Sequence, residues 1–208
     1  MSSHRRCWAL ATFVLLATAV TVSAQTDPAT WRRGTTLNLF AGMAGASSDL
    51  APLAGGAFGW EVTPWFGIEA SGAWLAWGHE AGGFDAALRA LMPIRPSRTV
   101  DPFLSAGVGM HRAWFQTADP EMPEFYRRRI DPTVENSPVS TTFTDPSLIF
   151  GGGVSVFVTR KLSIRPEVDA TIAIHDARTY TTAMARVHFA YHFEDHPITS
   201  ERAVAPRD

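Results

Sequence analysis

Glu69, Arg89, Arg165, Glu167, Arg186 and His188, with Asp169 beside them, occupy alternate positions that they share mostly with small or polar residues. Guanidinium and carboxylate groups pair bidentately and satisfy one another when held together away from water. Gathered in one narrow space, these side chains form a salt-bridged plug; lining an open one, they form a gated pore or a proton path. Arg89 is expected to reach Glu69 across an offset of roughly two residues, within the span of a long Arg side chain. Of the 7 histidines, His188 and His192 share a strand face but lie roughly 13 Å apart along it, too far to hold one ion together. His79, His111 and His175 fall near loop ends. Ser155 and Ser163 have no histidine within strand reach, so a nucleophile and its base are missing. No metal, cofactor or catalytic residue is expected. The run Phe125-Tyr126-Arg127-Arg128-Arg129, among Asp119, Glu121, Glu124, Asp131 and Glu135, has the arginine and aromatic content that suits phosphate groups or a protein partner.

The elements that must position these residues are strands. Eight segments show period-two alternation, covering 35–44, 53–62, 65–77, 83–94, 102–114, 147–158, 162–173 and 181–193. In each, one parity is bulky and apolar and the other small or charged, as on the two faces of a pleated sheet. Leu104, Ala106, Val108 and Met110 oppose Ser105, Gly107, Gly109 and His111; Leu162, Ile164 and Val168 oppose Ser163, Arg165, Glu167 and Asp169. Phe40, Leu75, Leu91 and Phe157 break the rule. Tight turns at 62–65 and 159–161 alternate with what read as longer loops at 44–49, 78–82, about 116–146, and 175–178.

Composition limits the class. The 208 residues carry 18 basic and 20 acidic side chains, a formal charge of −2, which argues against a nucleic-acid partner. A single cysteine, Cys7, excludes a disulfide framework. Residues 1–24 read as a cleaved signal peptide: Arg5 and Arg6 precede an uncharged apolar run, and Val22-Ser23-Ala24 supplies the small residues of a cleavage site. No later stretch is long and apolar enough for a helical span. An exported chain can still cross a membrane as a closed β-barrel.

Face assignment favours that case. Eight strands enclose a lumen just wide enough to be filled by side chains, which suits the small parity with its few charges, so the bulky parity faces lipid. Trp60, Phe66, Tyr191 and Phe193 gather at the short-turn end, Trp74 and Trp114 at the other, as two aromatic girdles. The predicted fold is an all-β, eight-stranded antiparallel up-and-down transmembrane β-barrel, with short periplasmic turns and longer extracellular loops.

Three stretches then carry a family resemblance: Pro102-Phe103-Leu104-Ser105-Ala106-Gly107-Val108-Gly109, Gly151-Gly152-Gly153-Val154 followed by Leu162-Ser163-Ile164-Arg165-Pro166-Glu167, and the terminal Val187, Phe189, Tyr191, Phe193 alternation. In order and spacing, the chain resembles bacterial eight-stranded outer-membrane β-barrels of the opacity-protein and outer-membrane-protein-A type. The resemblance implies a Gram-negative outer-membrane location, outer-membrane lipids and lipopolysaccharide as surroundings, and delivery by the outer-membrane insertion machinery. It also implies a non-enzymatic structural or surface-interaction role, with a possible extracellular protein partner for the 116–146 loop. A lipid-modifying enzyme, a soluble barrel binding an apolar ligand and a narrow pore are the alternatives. The chain departs from the family in continuing from Glu194 to Asp208, and in Pro166, where a bulge or a lost ladder bond is expected. The organisation is thus signal peptide 1–24, a short N-terminal segment 25–34, barrel 35–193 and polar tail 194–208. N-terminal sequencing of the protein recovered from outer membranes is expected to begin at Gln25; a retained Met1 would refute the cleavage.

Overall fold

In the computed structural model the described residues are 31–32, 34–46, 49–77, 81–94, 99–118, 122–130, 139–159, 161–193 and 196–197. The expected signal peptide, most of the 25–34 segment and most of the 194–208 tail lie outside them, as does His79. Eight antiparallel strands close into a barrel: β1 (Thr35–Ala46), β2 (Asp49–Thr63), β3 (Phe66–Ala76), β4 (Gly82–Pro93), β5 (Val100–Gln116), β6 (Ser140–Phe157), β7 (Leu162–His175) and β8 (Arg178–His192). Each strand pairs with the next, and β8 closes on β1 from Thr36↔His192 to Gly45↔Ala183. A two-residue ladder, Trp31–Arg32 with His196–Pro197, continues that seam in the same register.

Alternation sets the faces throughout. Leu39, Val108, Phe150, Val168 and Phe189 point outward and are at least half exposed, whereas Glu69 and His188 on the opposite parity are fully buried. Phe40, Leu53, Leu75, Phe103, Phe115 and Phe157 also point in, so the lumen is not made of small residues alone. A soluble barrel would place its bulky set inside; this one places it outside, and that alternative is excluded. Every barrel backbone group has a neighbouring strand to pair with, and closure is what a sheet in hydrocarbon requires.

The strands run further than alternation predicted. β2 begins at Asp49, so only Ser47 and Ser48 separate it from β1. Asp176 and Ala177, with φ of 44° and 61°, make a two-residue turn between β7 and β8, the left-handed backbone that matches strand twist in tight hairpins. The insertion expected over 116–146 is loop only between Gln116 and Ser140, which pair directly. One long connection therefore stands at that end, together with short ones at Ser47–Ser48, Trp77–Ala81 and Asp176–Ala177. At Pro166 the β6–β7 ladder is interrupted between Gly153↔Glu167 and Val156↔Ile164 with no change of register: a local loss of pairing rather than a bulge. The shift in register lies elsewhere, at Glu61–Thr63 beside the β2–β3 turn.

Val108 lies mid-strand on the lipid face, opposite Leu88 and Leu148. Val108→Arg is expected to destabilise the vesicle-inserted barrel by about 2–4 kcal/mol, as for a cation near the bilayer midplane. Urea unfolding in phospholipid vesicles measures it; an unchanged midpoint would place Val108 away from lipid.

Candidate functional site: a charged plug beneath an aromatic cap

Inward-facing residues of five strands meet across the middle of the lumen. Arg89 on β4 donates to Glu69 on β3 and, across the barrel, to Glu167 on β7. Arg165 lies 2.7 Å from Glu69 and 3.4 Å from Glu167. Arg186 pairs with Asp169 and lies 3.2 Å from Glu167. His188 lies 3.0 Å from Arg165 through Nδ1 and 3.3 Å from Glu167 through Nε2, and Asn38 donates to Glu69 at 3.1 Å. All of these residues are buried. Three guanidiniums meet three carboxylates, so the cluster is electrically balanced. Arg186 also packs on Phe40 and Arg165 on Phe103, at 5.0 and 5.4 Å from the ring centroids. The structure brings together all six residues of the expected cluster, and adds Asn38.

Glu69 and Arg89 are direct register partners, so the expected offset of roughly two residues is corrected to none. Counting from the turns missed this because the strands are staggered by barrel tilt. Register also explains how large side chains fit. Glu69 stands opposite Gly59, Arg89 opposite Gly107, Glu167 opposite Gly153, Asp169 opposite Gly151 and Arg186 opposite Gly42. A Cβ at Gly107 would fall 2.8 Å from Cγ of Arg89, and one at Gly151 2.5 Å from Cβ of Asp169. Each of these charges lies over a neighbour with no side chain.

Above this layer lie two apolar clusters. Phe40, Leu53, Leu75 and Met184 form one cluster with Trp77 against it. A second joins Phe115, Met122, Tyr126 and Phe143, with Phe125 and Tyr180 packed on it. Tyr126 belongs to α1 (Glu124–Arg127), the short helix of the long loop, which turns it into the barrel mouth. It is fully buried, and burial, reinforced by nearby Tyr180 and acidic groups, pushes its phenol far above the ordinary range, so it stays neutral. Polar pairs brace the cap: His111 Nδ1–Asp85 at 2.5 Å, Arg129–Asp145 at 2.7 Å and His175–Asp145 at 3.1 Å. Arg129 also lies over Phe143, 4.7 Å from its centroid. The arginine run is thus divided. Arg129 works inward, Arg127 donates to Met122 O at 3.3 Å, and exposed Arg128 bonds Glu124 at 2.6 Å, holding that carboxyl below its usual range. Sequence reasoning missed Tyr126 as a buried residue; its apolar neighbours Met122 and Phe125 at spacings of four and one are the available signal.

One further sequence expectation changes. Ser163 Oγ and His192 Nε2 are 3.0 Å apart inside the lumen, correcting the expectation that Ser163 has no histidine in reach. Ser163 stands opposite Ala190, so His192 is its diagonal neighbour, visible only once the register is known. Among the described residues no three His, Cys, Asp or Glu side chains are placed to hold a metal ion. At the lipid face, Trp60, Phe66, Tyr191 and Phe193 lie at the end that carries the termini and Trp74 and Trp114 at the other, all at least partly exposed. Trp74 and Trp114 touch, with ring centroids 4.7 Å apart; exposed Trp65 in the β2–β3 turn is a further member of the lower belt.

A closed, lipid-faced barrel with a charge-filled lumen defines an integral outer-membrane β-barrel protein. The chain belongs to the outer membrane protein beta-barrel domain family, which it matches over residues 10–193, and its setting is the Gram-negative outer membrane. Its fold is similar to the N-terminal β-barrel domain of OprF from Pseudomonas aeruginosa, at 15% identity and a TM-score of 0.52, over 75% of this chain and 97% of that one. It is also similar to the Neisserial surface protein NspA, at 11% identity and a TM-score of 0.55, over 82% of this chain and 100% of that one. No curated protein matches the chain in sequence.

If Tyr126 holds the loop inward, Tyr126→Ala frees it. Limited trypsin digestion of the folded barrel is expected to cut at Arg127–Arg129 about tenfold faster in the variant, as local opening becomes easier. Equal cleavage rates would mean that the loop is held by something else.

Proposed function

We propose that the protein is a non-enzymatic outer-membrane barrel whose lumen is plugged and whose role is structural or at the cell surface. The balanced, buried ion cluster from β3 and β4 across to β7 and β8 carries this reading. An open pore would leave its charges hydrated and separate, whereas a filled lumen requires each to find a partner. The aromatic cap above adds a second seal. The Ser163–His192 contact faces the lumen rather than the lipid leaflet, away from where a lipid-modifying enzyme would need its nucleophile.

Surface interaction rests on the outside of the same cap. Exposed Arg128 and half-buried Arg127 sit at the loop helix, and exposed Arg112 on β5 lies beside Trp114 on the lipid side. Arginines at the headgroup level suit the phosphates of lipopolysaccharide, and the loop they flank is the natural place for an extracellular protein partner.

The plug is tested by a double-mutant cycle of Glu69→Gln and Arg89→Met, read by urea unfolding in vesicles beside single-channel conductance. A dry, paired lumen predicts that either single variant is destabilised by about 3–5 kcal/mol and that the double variant recovers part of this. Additive effects together with a steady conductance would show an open, wet pore.

A further inference from the structure

The two halves of the lumen are built differently. On the loop side of the ion cluster, Phe40, Leu53, Leu75 and Met184 form an apolar cluster, and the polar groups beyond it stand in pairs, His111 with Asp85 and Arg129 with Asp145. On the side of the termini lies a cavity of about 120 Å³. Thr36, Ser155, Ser163, His192 and Asp101 line it, Arg165 and Asn38 bound it above, and Pro64 and Pro93 lie at the turns below. Gly59 and Gly67 leave part of its wall without side chains.

Polar atoms converge on this space. Oδ1 of Asn38 and Nε of Arg165 are buried and make no hydrogen bond within the protein, and both residues line the cavity. Asn38 is fully buried and Arg165 is 6% exposed. Apolar cavities stay dry, but a cavity with an unmatched acceptor, an unmatched donor and several hydroxyls holds hydrogen-bonding guests, water occupying about 30 Å³ each. Glu61 and Asp101 line it with Arg165, but Arg165 is already matched by Glu69 and Glu167, so an anion is disfavoured.

We infer that the lower half of the lumen is a one-sided vestibule, open toward the periplasm, that binds water and small uncharged hydrogen-bonding solutes and ends at Arg165. This inference rests on the plugged reading, since the ion cluster is its roof. The Ser163–His192 pair supplies a donor and an acceptor on the wall, while Phe103 and Phe157 supply apolar surface. Only a small solute fits in about 120 Å³ below the cluster, and nothing passes it.

The test uses single cysteines in a Cys7→Ala chain, folded in phospholipid vesicles, with hydroxyethyl methanethiosulfonate as the neutral probe and its sulfonatoethyl analogue as the charged one. Ser155→Cys places the thiol in the vestibule; Ala73→Cys places it in the dry half, where Ala73 packs with Leu75. The neutral probe is expected to modify Ser155→Cys at least about tenfold faster than Ala73→Cys, because thiol access governs the rate. It is also expected to outpace the charged probe there. Adding Gly67→Val, which puts methyls on the cavity wall where a Cβ meets backbone no closer than 3.3 Å, is expected to slow modification while the barrel stays folded. Equal, slow reaction at both cysteines would overturn the vestibule and leave the plug standing. Equal, fast reaction would overturn the plug and the vestibule together. A charged probe as fast as the neutral one would overturn the assignment to uncharged solutes.

Discussion

Arg89 sits between Glu69 and Glu167, carboxylates reached from neighbouring and opposite walls of the barrel, and the rest of the interior is arranged around that contact. A charge taken out of water is costly unless it is paired and hydrogen-bonded. At the level of this cluster the eight-stranded lumen is filled by side chains, with no room for a hydration shell. The small residues follow from the same contact: Gly107 beside Arg89, Gly153 beside Glu167 and Gly151 beside Asp169 leave room for side chains that must lie across the lumen. A buried ion cluster is weak evidence for stability, but here it fixes register. Slipping any of these strands by one residue would turn its charges into lipid and its leucines and valines into the lumen. The penalty for error is thus much larger than the net gain from the correct arrangement, and that difference specifies the fold.

Sealing is divided between two chemistries. Charge fills the middle of the barrel, where strands from all sides bring their side chains within reach. Near the mouth the strand-borne polar groups Asp85, His111 and Asp145 are held in separate pairs, and the long loop fills the remaining space with Tyr126 and Met122, packed on Phe115 of β5 and Phe143 of β6. The division explains why Arg129 does not face the medium with its two neighbours. A loop that inserts an aromatic needs an anchor close by, and the Arg129–Asp145 pair with the ring of Phe143 under the guanidinium provides one.

The strands, their faces and the membership of the ion cluster were legible in the sequence because lipid imposes period two. Any strand crossing hydrocarbon must alternate, and Leu104 to Met110 against Ser105 to His111 does so plainly. Strand ends were not legible. Beyond the lipid both faces contact water or loop, so Asp49 to Pro52 and Thr141 to Pro146 carry no apolar alternation although they extend β2 and β6. The contact of Ser163 with His192 was hidden for a different reason: it joins two strands diagonally, and sequence spacing carries no information about register across a turn. Tyr126 was hidden because its apolar neighbours Met122 and Phe125 mark an apolar side of the loop without saying whether that side turns to the mouth or to the medium.

Closure of the barrel connects these levels. In an up-and-down barrel every pair but one is made by strands that follow one another in the chain; the last pair, β1 with β8, joins the beginning of the domain to its end. Here that seam runs from Gly45↔Ala183 to Thr36↔His192 and then continues, in the same register, through Trp31 and Arg32 with Pro197 and His196. Beyond Phe193, His196–Pro197 therefore extends the closing strand. Pairing that reaches past the lipid boundary adds backbone hydrogen bonds to the longest-range contact in the fold, the one with the greatest loop-closure cost. It does so without placing a polar group in hydrocarbon. The girdle residues Tyr191 and Phe193 mark where the lipid ends, and the seam does not need to end with it.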